Sequence, residues 1–174
     1  MTELILVRHG KSNYSNSDRL GLKGHGHDLA PLTDEGVKSI EDLSKQDYFK
    51  KAEVIVVSPY TRTMQTAMII NKKLGLDIIV DIDLREWEPD LTYQYEDIKV
   101  VQSNYNEFLA NNGIYPEGVT PPNWESMISL KNRVKQAIDR YKKYNCIIVV
   151  THKMIIKTIT EKDVNCGEYI SFKI

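Results

Sequence analysis

The sequence predicts an α/β fold with a mainly parallel central sheet and helices on both of its faces. Short apolar runs rich in β-branched residues alternate along the chain with amphipathic segments of helical period. The clearest runs, residues 4–7 and 147–150, are apolar throughout, which is typical of parallel strands covered on both faces. Repeated strand–helix–strand units connect through right-handed crossovers, which place helices on both faces of the sheet.

The first elements follow in order from the amino terminus. After a strand at 4–7, residues 10–32 are rich in Gly, Asn, Ser and His, which predicts a long loop. Thr33 is then predicted to cap a helix with acidic residues in its first turn. The sequence has no sharp stop signal for this helix, whose end is predicted around 47–51. The second strand is predicted at 53–57, where another apolar run stands.

The remaining elements repeat this alternation. A helix is predicted over residues 60–74, with Gly75 as its stop. The face that this helix buries is predicted from its spacing: Met64, Ala67, Met68 and Ile70 or Asn71. The later elements are a strand at 77–81, an excursion at 87–124, a helix capped by Asn123 or a neighbour and running to about 144, a strand at 146–150, a helix at 153–160 and a short strand at 168–173.

Bulk composition narrows the classes of function. The 174 residues suit one domain, and 23 Lys and Arg against 24 Asp and Glu predict no nucleic-acid or membrane-surface partner. Cys146 and Cys166 have neither disulfide nor metal spacing. The first predicted strand leaves no room for a secretion signal, and no apolar stretch approaches the roughly 20 residues that span a bilayer. We therefore expect a cytoplasmic protein with residues 1–174 in a single domain.

Three predicted strands end in residues that suit an anion. Arg8 and His9 follow the first strand, Arg62 lies in the first helical turn after the second, and His152 follows the fourth. The carboxyl ends of parallel strands meet at one edge of the sheet, where ligands of open α/β folds bind. Helix N-termini and guanidinium groups both favour phosphate oxygens. These residues predict a phosphoryl-binding site.

The same region offers a nucleophile and an acid. A neutral imidazole can attack phosphorus and divide the transfer into two steps through a covalent intermediate. The leaving alkoxide needs a proton, for which Glu86 is the leading candidate because it also follows a strand, and Glu88 is the reserve. His25 and His27 lie in a Gly loop, for which we favour a solvated turn over a metal site. No Asp, Glu and His cluster has metal-ligand spacing, so no metal is expected.

Five blocks of the sequence resemble the histidine phosphatase superfamily, in its phosphoglycerate-mutase-like branch. They occur in the family's order and span most of the chain: LVRHG at 6–10, DLAPLTDEG at 28–36, SPYTRTMQTA at 58–67, LRE at 84–86 and TH at 151–152. The first block alone would be a weak signal, but the set makes a chance match very improbable.

The resemblance implies a three-layer α/β/α sandwich and a metal-independent phosphatase that hydrolyses phosphomonoesters without a cofactor. His9 would be the phosphorylated nucleophile, with Arg8, Arg62 and His152 binding the transferring phosphoryl group. Glu86 would be the proton donor. A small phosphorylated molecule is the expected partner.

Two other functions stay open at this point. One is a mutase, in which the phosphohistidine returns its group to a sugar-acid intermediate. The other is a phospho-ligand binding module that has lost turnover. The joint presence of His9 and Glu86 argues against the binding module, because a binder needs neither a nucleophile nor an acid. Lys153 argues for it, because the family has Gly there and its replacement moves a backbone N–H relative to the phosphate.

Four residues beside this core are predicted to contact the substrate: Lys11, Ser12, Ser15 and Lys153. Lys11 stands where the family usually has Glu or Gln, and Ser15 where it often has a phosphate-contacting Asn. Lysines at both 11 and 153 would favour a substrate with a second anionic group. The alternative is that both are solvated surface lysines.

The excursion at 87–124 is predicted to be a lid-like insertion. It holds seven of the fifteen aromatic residues of the chain: Trp87, Tyr93, Tyr95, Tyr105, Phe108, Tyr115 and Trp124. A helical stripe within it ends at Asn112-Gly113 and consists of Ile98, Val101, Tyr105, Phe108 and Leu109. We expect most of the stripe to pack on the sandwich, and the other Tyr and Trp residues to select the organic part of the substrate.

Overall fold

The computed structural model describes residues 1–93, 97–118 and 120–174, and its centre is a five-stranded sheet. The strands are β1 (Glu3–Arg8), β2 (Val54–Val57), β3 (Ile78–Val80), β4 (Cys146–Thr151) and β5 (Tyr169–Lys173). Their order across the sheet is β3-β2-β4-β1-β5, with β5 antiparallel to β1 and the other neighbours parallel. The predicted strands are all present, although β3 is shorter than expected.

Helices cover both faces of this sheet, which makes the fold a three-layer α/β/α sandwich. The α-helices are α1 (Ser15–Arg19), α2 (Asp34–Leu43), α3 (Thr61–Asn71), α4 (Ile98–Ala110), α5 (Met127–Asp139) and α6 (Lys153–Thr160). Short 3-10 segments are Gly24–Leu29, Asp47–Lys51 and Ile82–Leu84. Within the described part of the chain, no helix has the length and apolar character needed to cross a bilayer.

Alternate side chains of β1 enter two separate cores. Leu4 and Leu6 pack in the core that also holds side chains of α5 and α6, whereas Ile5 and Val7 pack in the core shared with α2 and α3. This division follows from the period of two along a strand, because successive side chains point to opposite faces. Both faces of β1 are therefore buried, as its continuous apolar run predicts.

The prediction of a plain loop over 10–32 was wrong. The segment contains α1 and the 3-10 turns at Gly24–Leu29. Only one residue of α1, Ser17, is buried, so this helix has no apolar face that would give a periodic signal. The 3-10 turns are held locally by backbone hydrogen bonds such as that from Gly26 N–H to Lys23 O, at 2.9 Å.

Helix ends confirm some of the predicted caps and correct one. The Thr33 side chain accepts the N–H of Gly36 at 2.9 Å, as predicted. At α5, the cap is Ser126, whose side chain accepts the N–H of Ser129 at 3.2 Å, and Asn123 lies before it in a bend of the chain. The stop at Gly75 is confirmed by its positive φ of 64° and by its N–H, which donates to the Asn71 carbonyl.

The predicted face of α3 was wrong at Met68, which is exposed. The buried face instead includes Thr63 and Thr66. Both hydroxyls donate to backbone carbonyls, at 2.9 Å to Ser58 O and at 2.8 Å to Arg62 O respectively. Satisfied hydroxyls can replace apolar side chains in a core, and a spacing rule based on apolar residues misses them.

The segment after β3 attaches α4 to the sandwich through aromatic contacts. Phe108 is the only buried residue that α4 contributes, and its ring centroid lies 4.9 Å from Trp87 and 5.4 Å from Trp124. The predicted stripe was wrong at Ile98 and Leu109, which are both exposed. Tyr95, which was counted with this group, lies outside the described residues.

Candidate active site

The carboxyl ends of three adjacent strands bring the predicted site residues together. β2, β4 and β1 are neighbours, so Ser58, His152 and His9, which follow them, lie side by side. The ring centroids of His9 and His152 are 5.2 Å apart, and both side chains are buried. Strand order therefore creates this pair from residues 143 positions apart in the chain, the difference between 152 and 9.

His9 is held as a neutral ring with a defined tautomer. Its Nδ1 lies 2.8 Å from the carbonyl oxygen of Gly10, which can only accept a hydrogen bond, so Nδ1 carries the proton. The other nitrogen, Nε2, therefore keeps its lone pair. Burial, together with the charge of Arg62, lowers the pKa of His9 to about 3. At neutral pH the ring is uncharged and suited to nucleophilic attack.

Close packing fixes the backbone around His9. A Cβ on Gly10 would lie 3.0 Å from the Gly36 carbonyl oxygen, and a Cβ on Gly36 would lie 2.5 Å from the Lys11 carbonyl oxygen. The Gly10 N–H also donates to Thr66 Oγ1 of α3 at 3.1 Å. Two glycines and one threonine thus allow the N-terminal turn of α2 and the middle of α3 to pack directly against the residues after His9.

His152 joins two other site residues. Its Nε2 lies 2.7 Å from Ser58 Oγ, and its Nδ1 lies 3.5 Å from Nη2 of Arg62. Because a guanidinium only donates, Nδ1 accepts and Nε2 carries the proton. Burial first, and then the Arg62 charge, hold the pKa of His152 well below its usual range. This ring is therefore neutral as well.

Two arginines of the site each leave a buried nitrogen without a partner. Arg62 donates from Nη1 to Asp28 Oδ1 at 3.0 Å, and Arg8 donates from Nη1 to the Val164 carbonyl at 2.9 Å. The Nε atoms of Arg8 and Arg62 are buried with no hydrogen-bond partner among the described residues, as is Oγ of Ser12. Leaving such donors unsatisfied is costly, and an oxyanion is the ligand that satisfies guanidinium N–H groups best.

Glu86 presents one carboxylate oxygen to the protein. Its Oε1 accepts the backbone N–H of Trp87 at 2.9 Å and that of Met154, in the first turn of α6, at 3.2 Å. Burial raises the pKa of Glu86, against the opposing effect of these two N–H groups and of Arg62. Among the described residues no hydrogen bond reaches Oε2, so this oxygen can carry a proton. Glu86, Arg8 and Arg62 line the same cavity.

The segment that carries Glu86 is clamped by Arg133 of α5. The Arg133 guanidinium donates to the carbonyls of Asp83, Arg85 and Glu86, at 2.8, 3.0 and 3.3 Å. It also pairs with the buried carboxylate of Glu125, with nitrogen–oxygen distances of 2.6 and 2.9 Å. This arrangement fixes the backbone that holds the proposed acid.

The reserve candidate, Glu88, is buried in a different set of contacts. Its Oε1 accepts a hydrogen bond from Arg85 Nε at 2.8 Å and from Tyr60 Oη at 3.3 Å. Burial raises the pKa of Glu88. Glu88 also lines the cavity, but its Oε1 is already shared by a guanidinium and a phenol, whereas the hydrogen bonds of Glu86 within the described part of the chain come from backbone N–H groups. Glu86 therefore fits the role of acid better.

The four predicted substrate contacts are placed differently from one another. Lys153 lines the cavity, with its Nζ 3.6 Å from Asp163. Lys11 is exposed and pairs with Glu35 at 2.8 Å, and it is not on the cavity wall, which supports the solvated alternative for this lysine. Ser15 is exposed at the start of α1 and likewise off that wall. Ser12 points a buried hydroxyl inward.

The described residues contain no cluster of His, Cys, Asp and Glu that could hold a metal ion. His25 contacts Asp28, with Nδ1 2.9 Å from Oδ2, and its ring stacks on Tyr93 at 5.1 Å. His27 lies instead on the cavity wall with Tyr14, at a ring distance of 6.1 Å. The two histidines of the Gly loop therefore have separate partners.

Several residues of this site escaped the sequence interpretation. Asp28 orients Arg62, Ser58 contacts His152, and the pair Arg133 and Glu125 clamps the Glu86 segment. Asp28 and Ser58 stand inside blocks that were recognised, but nothing in their spacing shows which side chain each will meet. Arg133 gives no signal at all, because one arginine on an amphipathic helix is indistinguishable from a surface arginine.

Comparison with known proteins identifies the family. The family model described as the histidine phosphatase superfamily (branch 1) matches residues 4–167. A protein of Proteus mirabilis named "Probable phosphoglycerate mutase GpmB" is 28% identical over 154 residues, which cover 87% of this chain and 66% of that protein. "Putative phosphoserine phosphatase 2" of Hydrogenobacter thermophilus is 29% identical over 157 residues, covering 87% of this chain and 73% of that protein.

Solved structures share the fold. The alpha-ribazole phosphatase of Shigella flexneri superposes with a TM-score of 0.72 at 21% identity, covering 99% of this chain and 91% of that chain. YhfR of Bacillus stearothermophilus gives a TM-score of 0.74 at 20% identity, covering 100% and 92%. Because the family model spans nearly all of the sequence and both neighbours have the same architecture, the chain belongs to the histidine phosphatase superfamily, branch 1.

Proposed function

We propose that this chain hydrolyses phosphomonoesters through a phosphohistidine intermediate on His9. The observation that carries the proposal is the pair of buried, unpartnered Nε atoms on Arg8 and Arg62 beside a neutral His9. Two guanidinium donors with no protein acceptor are matched by the oxygens of a phosphoryl group. A neutral imidazole beside that group has a lone pair that can attack its phosphorus atom.

In the first step, Nε2 of His9 attacks phosphorus, and the bond from phosphorus to the alcohol oxygen breaks. The hydrogen bond from Nδ1 to the Gly10 carbonyl keeps the lone pair on Nε2 and stabilises the positive charge that develops on the ring. Arg8 and Arg62 bind the phosphoryl oxygens, where negative charge is greatest in the transition state. His152 helps to orient Arg62, because its Nδ1 accepts a hydrogen bond from Nη2 of that arginine.

The leaving alkoxide takes its proton from Glu86. A raised pKa keeps this carboxyl protonated to higher pH than an exposed glutamate, as a general acid requires. Oε1 is fixed by two backbone N–H groups, so the proton resides on Oε2. In the second step, water attacks the phosphohistidine, Glu86 accepts a proton from that water, and the bond from phosphorus to Nε2 breaks. Phosphate and neutral His9 result.

A second candidate function is a phosphoglycerate mutase. It is favoured by the name of the Proteus mirabilis relative, although the match spans only 66% of that protein. The chemistry differs only in the acceptor of the second step, which would be a hydroxyl of a bound sugar acid instead of water. Transfer of label from the phosphoenzyme to phosphoglycerate, measured against release of inorganic phosphate, separates the two functions.

The experiment that tests hydrolysis is phosphate release from phenyl phosphate by purified protein in the presence of a chelator. We expect turnover in wild type that persists with the chelator, and none in His9→Ala. Lys38→Ala, which changes an exposed residue of α2, controls for the effects of expressing and purifying a variant and should keep full activity. Turnover that survives in His9→Ala would exclude the phosphohistidine route. Binding of phosphate without turnover by wild type would favour the binding module instead.

A further inference from the structure

The cavity beside the phosphoryl site is much larger than a phosphate, and six of its lining residues are apolar or aromatic side chains from neighbouring elements. Its volume is about 680 Å³. The apolar lining comes from the segment after Glu86, from α4 and from α6: Trp87, Pro89, Ile98, Val101, Tyr105 and Met154. A volume in this range is typical of cavities that bury a drug-sized ligand, roughly 300–1,000 Å³. A small sugar acid or amino acid phosphate would leave most of this wall in contact with water.

The charged residues of the lining do not provide for a second anion. Lys153 is the only lysine among the described lining residues, and its Nζ is 3.6 Å from the Asp163 carboxylate. Besides Glu86, three carboxylates lie on the same lining: Asp18, Asp28, which pairs with Arg62, and Glu88, which pairs with Arg85. Away from Arg8 and Arg62, the described lining is mostly apolar, neutral polar or acidic, with Lys153 and His27 as its other basic residues. A carboxylate or second phosphate on the substrate would therefore meet few basic groups there.

The aromatic part of the wall is built as a binding surface. The rings of Trp87 and Tyr105 meet edge to face at a centroid distance of 5.7 Å, which fixes both rings relative to each other. The indole N–H of Trp87 donates to the Glu125 carbonyl at 2.7 Å, so the ring has no unsatisfied polar atom of its own. Ile98 is exposed at the same wall, an apolar side chain that a bound apolar group would cover.

We infer that the substrate is a phosphomonoester of a bulky, uncharged aromatic or branched aliphatic alcohol. The phosphoryl group lies on Arg8 and Arg62, and the organic group lies against the wall formed by Trp87, α4 and Met154. This inference rests on the proposed function and adds the class of alcohol. It replaces the second anionic group that lysines at 11 and 153 suggested.

The test uses three aryl phosphates whose leaving phenols have similar acidity, so that chemistry contributes equally: 2-naphthyl phosphate, phenyl phosphate and 4-(carboxymethyl)phenyl phosphate. We expect kcat/KM to fall in that order, with naphthyl exceeding phenyl by about tenfold, since added apolar contact in a pocket changes selectivity by roughly this factor. The carboxylated substrate should be the poorest of the three.

Matched variants on α4 locate the wall. Ile98→Asp and Val101→Asp place a carboxylate on the lining, and Val100→Asp makes the same change at an exposed neighbour off it. Ile98 is exposed at the first position of α4, where Asp suits the helix N-terminus, so this variant tests the wall even where Val101→Asp fails to fold. We expect both lining variants to lower the naphthyl-to-phenyl ratio at least about threefold, and Val100→Asp to leave it unchanged.

The outcomes separate the inference from the function beneath it. Hydrolysis that depends on His9 but shows equal kcat/KM for all three substrates, or a preference for the carboxylated one, overturns the inference and leaves the phosphatase proposal standing. A ratio that Val100→Asp lowers as much as Ile98→Asp also overturns it. No hydrolysis of any of the three by folded protein overturns both.

Discussion

Asp28 accepts a hydrogen bond from Arg62 at 3.0 Å, and this contact fixes a guanidinium that lines the cavity and whose buried Nε has no hydrogen-bond partner among the described residues. The same carboxylate contacts His25 through its second oxygen at 2.9 Å. Arg62 is buried, and its Nη2 lies against His152. Asp28 therefore sets where the charge of Arg62 lies.

Removal of that carboxylate should disturb catalysis more than folding. We expect Asp28→Ala to lower kcat/KM for phenyl phosphate by about 10- to 100-fold, because a small displacement of a binding group costs that much. Asp28→Asn keeps an acceptor oxygen and should recover most of the loss. Steady-state kinetics on the two variants checks this, and equal losses in both would mean that charge, not position, is what Asp28 supplies.

Glu86→Gln should separate substrates by their leaving group. We expect kcat for an alkyl phosphate to fall by about 10²–10⁴-fold, the usual contribution of a general acid, and to fall far less for 4-nitrophenyl phosphate, whose leaving group needs no proton. A Glu88→Gln variant is the control and should not discriminate between them. Equal losses on both substrates in Glu86→Gln would assign the acid elsewhere.

The pH profile should show the same carboxyl. Glu86 must be protonated in the first step, so activity should decline as pH rises through its raised pKa. His9 stays neutral down to about pH 3 in the free protein, so it should not limit activity at mildly acidic pH. In Glu86→Gln, the decline on the basic side should disappear from the kcat profile for the alkyl phosphate. Its persistence would contradict the assignment.

The buried His9 should also make the fold less stable in acid. Its pKa of about 3 in the folded chain lies below the ordinary 6.5, so the unfolded chain binds the proton more readily and stability falls as pH drops below 6.5. Between pH 7 and 5, wild type should lose up to about 2 kcal/mol more free energy of unfolding than His9→Asn. Urea denaturation at the two pH values measures this difference, and no difference would mean that His9 titrates normally.

Breaking the buried pair of Arg133 and Glu125 should destabilise the chain strongly. Arg133→Met leaves the Glu125 carboxylate buried without its partner, which costs about 3–5 kcal/mol. Arg133→Met combined with Glu125→Leu removes both charges and should recover part of that loss. Urea denaturation of Arg133→Met, of Glu125→Leu and of the double variant tests it. A double variant as unstable as the sum of the single changes would mean that the two charges do not interact.

The sequence was most informative where local pattern and topology agree. The strands around Ile5 and Ile148 are continuous apolar runs, and residues at their carboxyl ends must meet at one edge, so His9 and His152 could be paired without a structure. The Thr33 cap was equally predictable, because a capping hydrogen bond depends on residues within one helical turn.

What could not be predicted depends on contacts between distant segments. Arg133 donates a hydrogen bond to the carbonyl of Asp83, fifty positions away, and no periodic pattern in the sequence predicts that contact. The buried ring of Trp124 packs against Phe108 and Tyr115 and so fills space beneath α4, a contact that its position in the sequence does not predict. Lys11 was predicted to contact the substrate, but its side chain pairs with Glu35 instead.

The most direct measurement of the central claim is a rapid acid- and alkali-quench experiment with substrate labelled in its phosphoryl group. Phosphohistidine survives alkali and is lost in acid, which distinguishes it from a serine or threonine phosphoester. We expect an alkali-stable, acid-labile label on His9 that forms within one turnover and is absent from His9→Ala. Turnover with no such label, or a label that persists in His9→Ala, would contradict it.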